Sequence, residues 1–423
     1  MPLAPASHFK EQLGGAAAPG QADRRICLHH VGGRNGSGAF PVLTAFEPDL
    51  INVIYDADPD CIDQIKQAHR RSKSEIHVLP YCLGDSSKTT QFNITYDPYG
   101  SSLLEFNPDY ETFYETHAGS DYIFSEGLKT MEKRAVHLVA LDQVLAENRV
   151  PRPDFFSIDT QGSEYEILQG ARGALKSSIL AVALEIGFHP FYKDQKLFGD
   201  LCALLSDHGF HFVKFLHIGE ASPYRAKVGL RADGFQVYGD ALFLRRIESI
   251  ESNGRDPQEI SLMLRKLAFI SIAFNQFEYG WQCLARDRRP ANRPGQEPDD
   301  PKPLYDQFLD QIQNEAGLLP EIPRLTFGSR FTFEQSKARF DGERSGEGPA
   351  LKRFFKKFFS RLFGLFRQWR YGAGYAINRA RDIFRHRIAQ DSAVEALLRR
   401  WGLKDQAAAL RRRRLKIFNR AWR

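Results

Sequence analysis

The sequence predicts an α/β protein built on a doubly wound sheet, with an α-helical C-terminal extension. Three observations predict it. Apolar strand-like runs alternate with helical patterns from Arg25 to about Glu248, the mark of a parallel sheet covered on both faces. One such run, Phe155–Ile158, ends on Asp159, followed by a short Thr160-Gln161-Gly162-Ser163 loop and a helix opening at Glu164. A carboxylate at the carboxyl end of a parallel strand stands where open α/β sheets carry their ligand chemistry. Another run leads into a glycine-rich turn, Val31 to Gly38, and the next strand ends on Asp56.

The expected strands are residues 26–31, 52–55, 76–81, 155–158, 181–186, 210–215 and 241–245. Helices are expected over 62–70, 164–170 and 196–208, the last closed by Gly209 as a helix C-terminus favours. Phe46-Glu47-Pro48 reads as the end of the helix before the second strand.

The turn after the first strand reads V-G-G-R-N-G-S-G. Its glycines let the backbone turn sharply and approach a bound molecule. In nucleotide-type sites a carboxylate ending the second strand, here Asp56, bonds ribose hydroxyls. Next comes L-P-Y-C-L-G-D-S-S, a strand ending at Tyr81 with Asp85 beyond it. The fifth strand runs into A-L-E-I-G-F-H-P, with Glu185 near its end and His189 in the following loop. A displacement at such an edge needs an acceptor oxygen held in line and a place for its proton. Asp159, His189 and Glu164 are the candidate bases. Histidine is favoured by its ordinary pKa, yet His189 also reads as a plain His-Pro turn. Glu164 also reads as a charge at a helix N-terminus, and Asp159 as a ligand for a metal or a substrate hydroxyl. No metal site is expected.

These motifs together resemble the FkbM family of S-adenosylmethionine-dependent methyltransferases. Ile158, Asp159, Gly162, Ser163, Glu164, Leu168, Gly170 and Ala171 match its strand–loop–helix signature in order. Val31, Gly32, Gly33 and Arg34 match the glycine motif, with His30 where the family has an acidic residue. Ser101-Ser102-Leu103 and Leu138–Asp142 match two further motifs, so the likeness spans about residues 26–246. The resemblance implies a Rossmann-like methyltransferase sheet and S-adenosyl-L-methionine as cofactor. It implies a cofactor site of Gly32, Gly33, Arg34, Gly36, Asp56, Leu83 and Asp85, with Leu83 and Asp85 turned to the adenine. It also implies O-methylation of a sugar hydroxyl on a glycan or glycolipid. Two other readings stand beside it: a nucleotide-cofactor oxidoreductase, against which the turn lacks a clean G-x-G-x-x-G, and a non-catalytic scaffold that kept the fold.

Charge divides the chain. Residues 351–423 hold 21 lysines and arginines against 4 acidic residues, a net of +17. The rest, 37 basic against 48 acidic, nets −11, which makes +6 overall. An acidic body with a basic tail points to an anionic partner for the tail alone. In residues 351–370, Phe354, Phe355, Phe358, Phe359, Phe363 and Phe366 fall on one helical face, and Lys352, Lys356, Lys357 and Arg361 on the other. That pattern suits a helix lying in an anionic membrane surface; docking on the body is the rival, and no nucleic-acid partner is expected. The expected organisation is a flexible N-terminus (1–24), the methyltransferase-like domain (25–248), a helical appendage (249–285), a linker and ambiguous region (286–350) and the basic tail (351–423). Five scattered cysteines, never in a CxxC pair, argue against a disulfide framework or a zinc site and fit a reducing compartment. Without a signal-like N-terminus or a spanning apolar run, the expected place is cytoplasmic, peripheral at the inner face of the cell membrane.

Overall fold

The computed structural model describes residues 23–32, 36–56, 59–116, 121–147, 150–225, 234–252, 254–287 and 302–316. The chain divides into Met1–Ala316 and Gly317–Arg423, and all the described residues belong to the first unit.

Twelve strands occur among the described residues: β1 (Ile26–Val31), β2 (Leu50–Tyr55), β3 (Glu75–Leu79), β4 (Cys82–Leu83), β5 (Lys88–Thr95), β6 (Tyr114–Thr116), β7 (Asp121–Ile123), β8 (Thr130–Val139), β9 (Phe155–Ile158), β10 (Ala181–Gly187), β11 (Phe210–Ala221) and β12 (Phe235–Arg245). The helices are α1 (Pro59–Ala68), α2 (Phe124–Gly127), α3 (Leu141–Ala146), α4 (Glu164–Gln169), α5 (Arg172–Ser177), α6 (Phe198–Asp207), α7 (Ile247–Glu251), α8 (Pro257–Ala273), α9 (Phe277–Arg286) and α10 (Leu304–Ala316).

The main sheet runs β11-β12-β10-β9-β1-β2-β3. Its five strands β3, β2, β1, β9 and β10 are parallel. Strands β1 and β2 are buried along their whole length, which explains why ICLHHV and LINVIY read as nearly continuous apolar runs. Each expected strand of the main sheet is present, but the sheet is mixed. Strand β12 inserts antiparallel between β10 and β11. The reason is the connection: a hairpin-type return joins β11 to β12, and adjacent strands so joined pair antiparallel. Both strands are also longer than expected, because they extend past the sheet edge to meet the segment between β3 and β9.

Apart from the strand running into a helix at Leu138–Asp142, that segment was not foreseen. It forms a three-stranded sheet, β4-β8-β5, and a β6–β7 hairpin. An aromatic core of Phe113, Phe124, Phe191 and Tyr192, with Leu128 and Val237, binds it to the main sheet. Isolated bridges Phe106–Tyr192 and Tyr114–Ser222 tie the same parts by backbone.

Local chemistry explains several boundaries. A 3-10 turn over Thr44–Asp49 holds Pro48 just before β2. Gly209, at φ 83°, ends α6 in the left-handed region. Helix α8 starts at Pro257, with the Asp256 side chain accepting from Gln258 N–H. Helix α10 falls where the sequence was ambiguous. Asp306 on it meets the Arg265 guanidinium of α8, while Tyr305 N–H donates to Asp49 at 2.8 Å. Among the described residues no helix is long and apolar enough to cross a membrane. Cys27, Cys82, Cys202 and Cys283 are free thiols.

Candidate active site

The register of the parallel strands brings the candidate residues to one edge. Val31 pairs with Tyr55 and with Ile158, and Ile158 with Leu184. The next residues along, Gly32, Asp56, Asp159 and Glu185, therefore stand side by side at the carboxyl ends of β1, β2, β9 and β10. Asp159 N–H donates to Val31 O at 2.9 Å, Gly32 N–H to Tyr55 O at 3.2 Å and Asp56 N–H to Leu79 O at 3.2 Å. Gly32 takes φ 75°, and a Cβ there would lie 1.9 Å from the Asp159 carbonyl oxygen. Only glycine lets the β1 turn pass so close to the β9 loop.

The β9–α4 loop is held in an unusual shape. Gln161 has φ 58° and Gly162 φ 105°. Left-handed backbone at a glutamine is costly and persists only where its surroundings enforce it. Glu164 is one enforcer. Its carboxylate accepts Thr160 N–H at 2.9 Å, the Thr160 hydroxyl at 3.0 Å and Gly162 N–H at 3.0 Å. Ser102 is the other: its hydroxyl donates to Gln161 O at 2.6 Å. The Ser-Ser-Leu motif thus pins the loop from the inserted segment. The Gly-Ala end of the signature has its own reason, since a Cβ on Gly170 would sit 2.0 Å from Gly84 O.

Gln161 turns this loop into a hub. Its amide donates to Asp159 Oδ1 at 3.2 Å and to Glu185 Oε2 at 2.7 Å. Its carbonyl accepts from the Tyr192 hydroxyl at 3.1 Å. Glu185 pairs with Asp240 across β10 and β12. Four carboxylates therefore gather here, and burial pushes each upward. Glu164 rises to about 7 through burial, against the loop N–H bonds, with the Asp159 charge adding to the rise. Asp240 rises to about 6 through burial and then Asp159. Asp159 is raised by burial against the Gln161 bond, and Glu185 is raised well above the usual range by burial and its three acidic neighbours. Such perturbation in a cleft makes these carboxylates candidates for a functional role.

A cavity of about 300 Å³ opens beside the hub. It is lined by Gln161, Glu164 and Glu185 from the sheet edge, by Asp97, Glu115 and Tyr122 from the inserted segment, and by Tyr192, Gln195 and Tyr238.

The other expected residues fall as follows. Leu83 is buried in the main core beside Val139 and Leu168. Asp85 pairs with Lys88 at 2.7 Å, and that bond holds its carboxyl low. Gly36 opens a short 3-10 turn, while Gly33 and Arg34 lie outside the described residues. His30 is fully buried and bonded to Asn52 at 3.2 Å, and burial lowers it to about 4. Since the Asn52 amide donates to Ser74, its carbonyl accepts from His30, which is the neutral imidazole. His189 packs its ring among Tyr110, Phe113 and Phe235 and is not among the residues lining the cavity. The sequence reading missed Gln161, Tyr192 and Asp240. The signal for Gln161 was its place next to a glycine in a motif loop; Tyr192 and Asp240 had none, because both arrive by long-range pairing. No group of three or more potential metal ligands occurs among the described residues.

A parallel sheet whose carboxyl edge carries a glycine turn, two aspartates and a cavity, closed by an antiparallel strand, has the Rossmann-like methyltransferase fold. Residues 17–212 match the family model of the methyltransferase FkbM domain. Strand β12, which completes the sheet, lies beyond the matched span. The chain is also similar to a hexuronic acid methyltransferase, AglP, of Haloferax volcanii, at 24% identity over 162 residues, 37% of this chain. The matched stretch spans 58% of that relative's length. Among solved structures, methyltransferase FkbM from Methylobacillus flagellatus matches with 12% identity and a TM-score of 0.31, covering 52% of this chain and 44% of that one. Magnesium protoporphyrin IX methyltransferase from Synechocystis, solved with bound SAM, matches with 9% identity and a TM-score of 0.26, covering 52% and 70%.

Proposed function

We propose that this chain is an S-adenosyl-L-methionine-dependent O-methyltransferase that methylates a sugar hydroxyl of a glycan or glycolipid. The observation that carries the reading is the alignment of Gly32, Asp56, Asp159 and Glu185 on one sheet edge beside a cavity. The residues fit the cofactor. Gly32 leaves its turn without a side chain against the β9 loop. Asp56 ends β2 next to it and would bond the ribose hydroxyls. Asp85, beyond β4, is proposed to accept from the adenine amino group, while Leu83, the other adenine contact the resemblance implies, is buried in the core. When bound, the cofactor supplies a methyl group on a sulfonium centre.

The chain's own part is positioning and the proton. The acceptor hydroxyl would enter the cavity and present its oxygen in line to the methyl that the bound cofactor would supply. Its proton passes to the Asp159–Glu185 pair. Gln161 holds both carboxylates at fixed distance through one amide, so the pair is preorganised. Burial raises their pKa values, which makes them stronger bases than free carboxylates. Glu164 acts on the loop rather than on the substrate. The curated relative that acts on a hexuronic acid supports a sugar as acceptor. Residues 351–370, outside the described residues, are proposed to hold the enzyme at an anionic membrane face.

The test is mass spectrometry of surface glycans from a deletion strain and from one carrying Asp159→Asn. Loss of one methylene from a glycan in both supports the reading; unchanged glycans in both strains reject it. Co-sedimentation with anionic vesicles, with and without residues 351–423, tests the tail.

A further inference from the structure

The cavity's wall has a definite chemical bias. Four acidic residues, Asp97, Glu115, Glu164 and Glu185, line one space of about 300 Å³, the Glu164 carboxylate being taken up by Thr160 and Gly162 N–H. The tyrosines around them are already committed as donors. The Tyr192 hydroxyl shares its one proton between Gly100 O at 3.0 Å and the Gln161 side-chain carbonyl at 3.1 Å, Tyr122 bonds Asp97, and Tyr238 bonds Glu115. Burial raises Glu164 and Glu185 and favours their protonated forms, so Asp97 and Glu115, which already accept from the tyrosines, set the acceptor character of the wall. A guest that meets these two must bring donors. Besides the Gln161 and Gln195 amides, Phe124, Leu128, Ile186 and Phe191 with the tyrosine rings give an apolar wall that suits the carbon face of a pyranose. Tyr99, largely exposed, stands at the rim as a flat aromatic surface. The cavity itself, at the methyl-transfer edge, defines the site; the carboxylates set its charge.

We propose that this cavity selects a glycosyl unit that presents hydroxyl or ammonium donors, and rejects one that carries a carboxylate. The proposal rests on the sugar-methylation reading above. It sets this chain apart from its hexuronic acid-methylating relative in substrate charge. A carboxylate brought against Asp97 and Glu115 meets like charge in a partly desolvated space, where repulsion is felt strongly. An ammonium or a hydroxyl at the same position completes the acceptors already present.

The experiment uses the full chain with S-adenosylhomocysteine bound. Three matched probes are compared: methyl β-glucoside, methyl β-glucosaminide and methyl β-glucuronide. Binding is read by saturation-transfer NMR and transfer by release of label from radiolabelled S-adenosylmethionine. The glucuronide is expected to bind at least about tenfold more weakly than the other two. Glu115→Gln and Asp97→Asn should each narrow that gap, and so should raised salt. A glucuronide that binds as well as the glucoside, or better, overturns the charge selection and leaves the sugar reading intact. Binding of S-adenosylhomocysteine with no binding of any of the three probes overturns both.

Discussion

Two aspartates flank the four residues of β9, and the protein uses them in opposite ways. Asp154, before the strand, accepts Cys27 N–H at 2.9 Å and the Lys266 ammonium at 2.8 Å. Lys266 also donates to Asp23 O at 2.9 Å, so the pair is buried and bonded at both ends. Asp159, after the strand, accepts an amide of Gln161 and faces Glu164, Glu185 and Asp240. Burial pushes both aspartates upward, but a lysine opposes the rise at Asp154 and only a neutral amide does so at Asp159. One edge of the sheet is made for holding helix α8 in place. The other keeps its carboxylates unsettled, which costs stability and suits proton transfer. The lesson is that burial alone does not say what a carboxylate is for; its partner does.

The comparison predicts a double dissociation. Lys266→Met strands a buried charge at Asp154 and should cost about 3–5 kcal/mol of stability. Urea unfolding measures it, and methyl transfer per folded molecule should be unchanged. A loss under about 1 kcal/mol would remove the contrast between the edges. At the other edge, Asp159→Asn should lower turnover by about 100-fold or more. Its melting temperature should stay level or rise, because one negative charge leaves an acidic cluster. A variant with normal turnover moves the proton to another group, and His189→Ala in the same assay then tests the histidine.

The pH profiles should differ in sign. Asp240 is raised from 3.8 to about 6, so its contribution to stability is fully present below pH 3.8 and is lost as pH rises through 6. That loss should be on the order of 2 kcal/mol and should vanish in Asp240→Asn. Glu75, at the amino edge, behaves the other way. Burial pushes it up, but its bonds to Arg25 and His77 outweigh this and leave it below 4.5. Its contribution is present above pH 4.5 and is lost on acidification. Thermal melts of Asp240→Asn and Glu75→Gln across pH 3 to 8 should therefore diverge from the parent at different ends of the scale. Parallel curves would mean the two edges are electrostatically alike. The smallest effect concerns the cofactor. Asp56→Ala should weaken S-adenosylhomocysteine binding by about 1–3 kcal/mol in calorimetry, with little change in the melting temperature of the free protein.

Much of this was legible along the chain. The strands of the main sheet announce themselves because a strand buried on both faces must be apolar throughout, as in Phe155–Ile158 and Ala181–Ile186. Asp159 and Asp56 are legible for the converse reason: an acidic residue directly after such a run must leave the core or serve a purpose at its edge. The signature loop also showed its glycine, and the helix after it showed Glu164. These are local facts, written within ten residues or so of sequence. What the tertiary structure decided is everything set by pairing at long range. The antiparallel entry of β12 beside β10, the Lys266 partner of Asp154, the Ser102 clasp on Gln161 and the meeting of Asp240 with Glu185 join residues distant in the chain. Local propensity and hydrophobic period say that a residue is buried or at an end; they carry no information on which distant residue arrives opposite it. That is why the strand ends were readable, and why the charge of the cavity they frame came only with the fold.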